Sequence, residues 1–310
     1  MKILISDKLE DIGIKIFEDN GFEVFKKFAI TKEELKEDIG KYDGIVIRSR
    51  TKLTAEILEN AKNLKVIGRA GVGLDNVDQD KAAKMNIAVL NTPEAPAISV
   101  AEFALGLMLS LARKISYADR TTHEGQWNKN ECLGYTLNGK NLGLVGFGNI
   151  AKHLAKISIA MGMNVGVYSR FSKGQVAINE AKEMGCSIYT SVEDLLKDAQ
   201  IISLHLPSSP QTINLINQER LGLMRKDAIL INTARGNLID EDALLNALKN
   251  KVIAGAALDV YLEEPLKNEG LINWSENLIL TPHIASQSIE NQTEAATMIA
   301  EKMSNFLKKK

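Results

Sequence analysis

Leu142-Gly143-Leu144-Val145-Gly146-Phe147-Gly148-Asn149-Ile150-Ala151 opens as an apolar run, turns at glycine and continues as a helical pattern carried by His153, Leu154, Ile157 and Ile159. Strand, glycine turn and helix in that order are the setting in which a dinucleotide pyrophosphate rests on a helix N-terminus. Gly146 would permit the tight turn and Gly148 the approach of backbone to phosphate. Ala151 stands at the third position, where a small residue lets helix and strand pack. An ordinary βα turn also needs glycine for its backbone, so both readings stand at this point. The turn lies near the middle of 310 residues, so the nucleotide unit reads as inserted into another domain. Gly71-Val72-Gly73 also follows an apolar run, but no small residue takes its third position. It reads as a turn that offers backbone N–H groups to a substrate anion.

On either side of the central turn, short apolar β runs alternate with helical stretches, at 2–6, 44–47, 65–67, 88–90, 143–145, 164–168, 201–204, 228–231, 254–258 and 278–280. Such alternation predicts an α/β fold of two doubly wound parallel sheets. Asn91-Thr92-Pro93-Glu94-Ala95-Pro96 interrupts it with two prolines and marks a boundary. A long helix should follow from about Ser99, apolar on several faces and so expected between packed units. A second boundary falls near Pro282, before a final helix at roughly 289–307. If that helix returns to the first domain, the organisation is a discontinuous domain, 1–97 plus 284–310, around an inserted dinucleotide-binding domain, 98–283. A crevice between two such domains is a favoured place for a ligand.

Composition narrows the function classes. Residues are 45% hydrophobic and 25% charged, and the formal net charge is −1, so no basic field favours nucleic acid. Two cysteines, Cys132 and Cys186, are too few for a disulfide framework or a zinc site. No metal site is expected. The start, Met1-Lys2-Ile3-Leu4-Ile5, turns polar at once, unlike a signal peptide. The most apolar stretch, 95–112, carries Glu102 and Ser110, as a buried helix would and a membrane span would not. The expectation is a cytoplasmic protein without a membrane partner.

Three strand ends in the second half carry polar groups. Ile229-Leu230-Ile231-Asn232-Thr233-Ala234-Arg235-Gly236 delivers an arginine to the edge where ligands of open α/β sheets bind. Its planar fork suits a carboxylate, although a surface salt bridge would use the same residue. Asp240 reads as the cap of the next helix. Leu258-Asp259-Val260-Tyr261-Leu262-Glu263-Glu264-Pro265 places two acids before a proline, which by itself reads as a solvated turn, and Thr281-Pro282-His283-Ile284-Ala285 places one of only four histidines at another strand end, which by itself reads as a satisfied loop histidine. Together, Arg235, Glu264 and His283 supply an anchor for a carboxylate, an orienting acid and a proton donor. Reduction of a 2-oxo acid beside a nicotinamide needs those parts.

Taken in order, Arg48-Ser49-Arg50-Thr51, Gly68 through Asp78, Asn91-Thr92-Pro93, Ser99-Val100-Ala101-Glu102, the turn at Gly146, Asn232 through Gly236, Asp259 through Pro265 and Thr281 through His283 cover nearly the whole chain. This set resembles the D-isomer-specific 2-hydroxyacid dehydrogenases, most nearly their D-3-phosphoglycerate dehydrogenase branch. The resemblance implies a Rossmann nucleotide-binding domain inserted into a flavodoxin-like substrate domain, and hydride exchange between substrate C2 and nicotinamide C4. It implies that Arg235 grips the substrate carboxylate and 2-oxygen, that His283 exchanges the hydroxyl proton, and that Glu264 holds the imidazole and stabilises its charged form. It further implies cofactor contacts from Val72, Gly146, Gly148, Asn149, Ile150, Ser169, Arg170, His205, Leu206, Pro207, Thr233, Ala234, Arg235, Asp259, His283 and Ala285. Substrate contacts would come from Arg48, Arg69, Ala70, Gly71, Val72, Arg235 and His283, with Arg48 and Arg69 as phosphate ligands, Arg50 less so, and Lys129 near the site. A homodimer through the helix at 99–113 is also implied.

One stretch departs from the family pattern. The second strand of the nucleotide unit reads Asn164-Val165-Gly166-Val167-Tyr168-Ser169-Arg170, with Ser169 where an acid normally meets the ribose hydroxyls of NAD, and with Arg170 and Lys173 following. Loss of a negative charge and gain of positive ones suits a 2′-phosphate, so NADP is the favoured cofactor and NAD the alternative. Family members that prefer NADP resemble glyoxylate and hydroxypyruvate reductases, the nearest rival activity. Ala285 and Gln287 also stand where the family usually has Gly and Ser. A cofactor-sensing corepressor or scaffold is the rival from another class. The expectation from Lys310 as last residue is a short form without a regulatory domain, insensitive to serine.

Overall fold

A computed structural model describes residues 1–169 and 175–309. The chain divides into two compact units, Met1–Pro96 with Ser286–Lys310, and Ala97–Ala285. In the first, β1 (Lys2–Ile5), β2 (Glu23–Lys26), β3 (Gly44–Ile47), β4 (Val66–Arg69) and β5 (Ala88–Asn91) form a parallel sheet in the order β2-β1-β3-β4-β5. Strand order reverses between β1 and β3, so the loops after these two strands flank a switch point, where doubly wound sheets bind ligands. Every residue of β3 is buried, as expected of a central strand covered on both faces. The helix Ile289–Lys308 lays Ala296, Ile299, Ala300, Met303 and Leu307 into this core. That spacing is one helical stripe. Each fully buried Ile, Leu or Met side chain there contributes roughly 1.5–3 kcal/mol. Ser288 caps the helix by accepting from the Asn291 N–H at 3.2 Å.

In the second unit, β6 (Asn141–Val145), β7 (Asn164–Tyr168), β8 (Ser187–Ile188), β9 (Ile201–Leu204), β10 (Ile229–Asn232), β11 (Gly255–Leu258) and β12 (Leu278–Leu280) run parallel in the order β12-β11-β10-β9-β6-β7-β8. The fold is therefore α/β, with two doubly wound parallel sheets. The switch point of this sheet lies between β6 and β9. Register then places the loops: Val145 pairs Leu204, Asn232 pairs Leu258, and Leu258 pairs Leu280. The residues that follow β6, β9, β10, β11 and β12 therefore emerge along one edge. The helix Ala97–Ala112 buries Val100, Ala101, Ala104, Leu107, Met108 and Ala112, packing on β10, β11 and the helix Asn149–Ala160.

The sequence expectation omits two strands, β2 and β8, and both are sheet edges. Glu23 and Lys26 are exposed while Val24 and Phe25 are half-buried. An edge strand has one covered side, so no continuous apolar run announces it. Among the described residues no helix is long and apolar enough to cross a membrane.

Candidate functional site

The turn after β6 is closed by its neighbours. Gly146 N–H donates to Tyr168 O at 2.8 Å, and His205 N–H donates to Val145 O at 2.8 Å. Gly146 has φ +98°, and a Cβ there would lie 2.5 Å from the His205 carbonyl oxygen. Conformation and space both demand glycine. Gly148 differs: it is exposed, and a Cβ would meet nothing within 4 Å. It is the N-cap of the helix Asn149–Ala160 and supplies no side-chain cap, so first-turn N–H groups remain for an anion. Asn149 is exposed and Ile150 half-buried on that turn. Nearby strand ends add Thr233, 9% exposed, whose buried hydroxyl finds no partner among the described residues. An open glycine, an uncapped helix start and an unpaired hydroxyl fit a dinucleotide.

The other expected cofactor residues are distributed as follows. Ser169 is half-buried at the end of β7, and Arg170 lies outside the described residues. Leu206 is buried and Pro207 exposed after β9. His205 Nε2 sits 2.9 Å from Ser203 Oγ, and burial pushes the imidazole down to about 4, so it is neutral near pH 7. Ala234 is half-buried and Ala285 buried. Asp259 has no accessible surface in this structure. Its carboxylate is taken up by Thr281 Oγ1 at 2.6 Å, Ile284 N–H at 2.9 Å and Ala285 N–H at 2.8 Å. The geometry gives Asp259 the work of holding the 281–285 loop, not a surface for a ligand.

Arg235, Glu264 and His283 are set by the loops after β10, β11 and β12. Asn232 shapes the first: its Nδ2 donates to Arg235 O at 2.8 Å and its Oδ1 accepts from Ala234 N–H at 3.1 Å. Gly236 packs so closely that a Cβ would lie 1.9 Å from the Tyr261 carbonyl carbon. Arg235 is half-buried and donates from Nη1 to Ala234 O at 2.6 Å. Tyr261 N–H donates to Glu264 Oε1 at 3.2 Å, and Glu264 Oε2 lies 2.8 Å from His283 Nδ1. Burial of the Glu264 carboxyl would raise its pKa. The His283 hydrogen bond and charge, the Tyr261 N–H and the Arg235 charge outweigh that and hold it below the usual carboxylate range. An ionised Glu264 only accepts, so Nδ1 carries the proton and Nε2 is left for proton exchange. His283 has φ +55°, a left-handed conformation costing a non-glycine residue roughly 1–3 kcal/mol. The Asp259 bonds to Thr281, Ile284 and Ala285 hold the loop around it. Tyr261 Oη donates to Leu258 O or Thr281 O, at 3.0 and 2.7 Å, and burial pushes the phenol up to about 12. A cavity of about 530 Å³ adjoins the pair, lined by Tyr261, Pro265, Leu266, Leu280 and Pro282 besides Glu264 and His283.

Sequence reasoning passed over Asn232 and Tyr261 as functional positions. Asn232 had a signal, since asparagine readily bonds backbone two or three residues on and shapes a turn. Tyr261 had none, because its shorter bond, to Thr281 O, crosses to the loop after β12, 20 residues on.

In the first unit, Ile47 pairs Arg69 across β3 and β4, so Arg48 and Arg69 leave adjacent strand ends. Arg50 is committed to structure, donating to Asp7 Oδ1 at 3.0 Å and Ser6 O at 2.6 Å. Arg48 is half-buried, and among the described residues its guanidinium makes no hydrogen bond. Gly71, at φ +141°, lies under the Arg69 guanidinium, where a Cβ would be 1.3 Å from Nη1. Ala70 is buried, Val72 is half-buried, and Asn91 Nδ2 donates to Val72 O at 2.7 Å. Lys129, in the other unit, is exposed on a turn. Among the described residues no group of three His, Cys, Asp or Glu could hold a metal ion.

Residues 105–285 match the D-isomer specific 2-hydroxyacid dehydrogenase family through its NAD binding domain, and the chain belongs to that family. Its cofactor class is therefore nicotinamide. Within the family, it is 43% identical over 308 residues to the D-3-phosphoglycerate dehydrogenase of Methanocaldococcus jannaschii, covering 99% of this chain and 58% of that protein. The chain thus spans little more than half the length of this relative. Among solved structures it is similar to the TT0316 protein of Thermus thermophilus, with 34% identity, TM-score 0.87, and coverage of 97% of this chain and 95% of the other. It is also similar to the acyclic imino acid reductase Bsp5 in complex with NADPH and D-Arg, with 30% identity, TM-score 0.88, and coverage of 100% and 98%.

Proposed function

We propose that this protein interconverts D-3-phosphoglycerate and 3-phosphohydroxypyruvate, a step of serine biosynthesis, with a nicotinamide cofactor. The observation that carries the reading is the Glu264–His283 pair at 2.8 Å, with the charge of Arg235 acting on Glu264. His283 Nε2 takes the 2-hydroxyl proton during oxidation and returns it during reduction. Glu264 orients the ring and stabilises the imidazolium that forms. Arg235 grips the substrate carboxylate and the 2-oxygen, where charge builds as the proton moves. Arg48 and Arg69 take the phosphate, with Ala70, Gly71 and Val72 presenting backbone to the substrate. Gly146, Gly148, Asn149 and Ile150 would hold the pyrophosphate, with Ser169, His205, Leu206 and Pro207 along the adenosine half. Thr233, Ala234 and Ala285 would meet the nicotinamide half, which supplies the hydride acceptor or donor for substrate C2. The protein is read as a cytoplasmic homodimer through the helix Ala97–Ala112.

The 43% identity to a D-3-phosphoglycerate dehydrogenase supports the phosphorylated substrate. A second reading, an NADPH-dependent glyoxylate or hydroxypyruvate reductase, is favoured by Ser169 at the end of β7. A panel of 3-phosphohydroxypyruvate, hydroxypyruvate and glyoxylate separates the two. The expected result is kcat/KM highest for the phosphorylated acid. Higher values for hydroxypyruvate or glyoxylate would install the second reading, and no turnover of any 2-oxo acid would remove both.

A further inference from the structure

Asp7 stands two residues beyond the end of β1, beside the switch point of the first sheet, and is 4% exposed. Its carboxylate gathers the loop that follows β3. Oδ2 accepts from Arg48 N–H at 2.6 Å and Thr51 N–H at 3.1 Å, while Oδ1 accepts from Thr51 Oγ1 at 2.8 Å and Arg50 Nε at 3.0 Å. From the other side, Asn76 Nδ2 donates to Arg48 O and Thr51 O, both at 2.7 Å. The backbone of residues 48–51 is therefore fixed at both ends, and Arg50 is consumed in fixing it. Among the described residues the Arg48 and Ser49 side chains make no hydrogen bond, and of these two Arg48 is the one that carries charge. Its own amide N–H sits on Asp7 Oδ2, so the Asp7 carboxylate sets where the Arg48 side chain leaves the backbone.

We propose that Asp7 is a positioning residue that sets the discrimination between phosphorylated and unphosphorylated substrates, by holding the Arg48 loop in the geometry that receives a phosphate. This rests on the reading of Arg48 as a phosphate ligand. A buried carboxylate accepting four hydrogen bonds at once is a rigid support. Replacing it by a neutral amide of the same shape weakens every bond and turns one oxygen from acceptor to donor.

Steady-state kinetics with 3-phosphohydroxypyruvate and hydroxypyruvate tests the proposal. Asp7→Asn should raise KM for the phosphorylated acid about tenfold, leave its kcat within about twofold, and leave kcat/KM for hydroxypyruvate in place, as loss of a charge-assisted contact in binding requires. Thr51→Val removes a single donor to Asp7 and should move the same KM in the same direction by less, so it decides the matter if Asp7→Asn fails to fold. An equal loss on both substrates, or a fall in kcat alone, would overturn the proposal and leave Asp7 with a purely structural part. Arg48→Ala separates the two layers of inference. If it leaves phosphate discrimination intact, the phosphate reading of Arg48 fails. If it abolishes discrimination while Asp7→Asn and Thr51→Val do not, only the role of Asp7 fails.

Discussion

His283 combines a left-handed backbone, an exposed ring edge and a carboxylate partner at 2.8 Å. Non-glycine residues rarely hold that conformation unless their surroundings enforce it, and such residues cluster at functional sites. With the imidazole as the proton-exchanging group, His283→Ala should cut turnover about 10²–10⁴-fold, the usual scale of general acid–base catalysis. Cofactor KM should stay in place. Wild-type turnover in that variant would remove His283 from the mechanism. Glu264 predicts a pH effect on stability. Its folded pKa is depressed, so it contributes stability above the ordinary carboxylate range, and the contribution fades as pH falls through the folded value. Urea unfolding of Glu264→Gln beside wild type should show the variant less stable near neutrality, with the gap closing toward strongly acidic pH. A gap that widens with acidification would mean that the folded state holds the Glu264 carboxyl above, not below, its ordinary value.

At the scale of the element, two glycines look alike in one dimension and differ in three. Gly236 ends the arginine-bearing turn against the Tyr261 backbone, which cannot yield as a side chain could. Gly236→Ala should cost about 1–3 kcal/mol from overpacking and lower activity by shifting Arg235, read as a drop in unfolding midpoint together with kcat/KM. Gly148 starts the helix Asn149–Ala160 with open space where a Cβ would be, and its φ is −87°. Gly148→Ala should leave the unfolding midpoint within about 0.5 kcal/mol of wild type and still raise cofactor KM, because the methyl occupies the approach of a phosphate. A destabilised Gly148→Ala protein with unchanged cofactor KM would make that glycine a folding residue only.

At the scale of the whole chain, buried polar side chains shape separate loops: Asn232 shapes one and Asp259 ties another in the inserted unit, and Asp7 gathers one in the unit that holds both chain ends. Both aspartates are buried just beyond a strand end and spend their carboxylates on the backbone of a neighbouring loop. Cofactor choice belongs to this scale, because the charge around a ribose is a sum over several elements. Ser169 in place of an acid predicts that kcat/KM is higher with NADPH than with NADH. A clear preference for NADH would overturn it.

Periodicity and strand-end chemistry made much of this protein legible in one dimension. Ten of the parallel strands and the glycine turn at 146 announce themselves by local pattern, while the polar residues at 235, 264 and 283 stand out only when the three strand ends are taken together. The edge strands β2 and β8 do not, because half their surface faces water and no apolar run marks them. Nor does local pattern show that Asp259 is enclosed, or that Arg50 is spent on Asp7 and Ser6 while Arg48 is not, since those partners lie up to 44 residues away in the chain. Parallel pairing decided these matters: register across β1 and β3, and across β11 and β12, sets which loops become neighbours. A hydrogen bond between distant residues exists only once that register is formed.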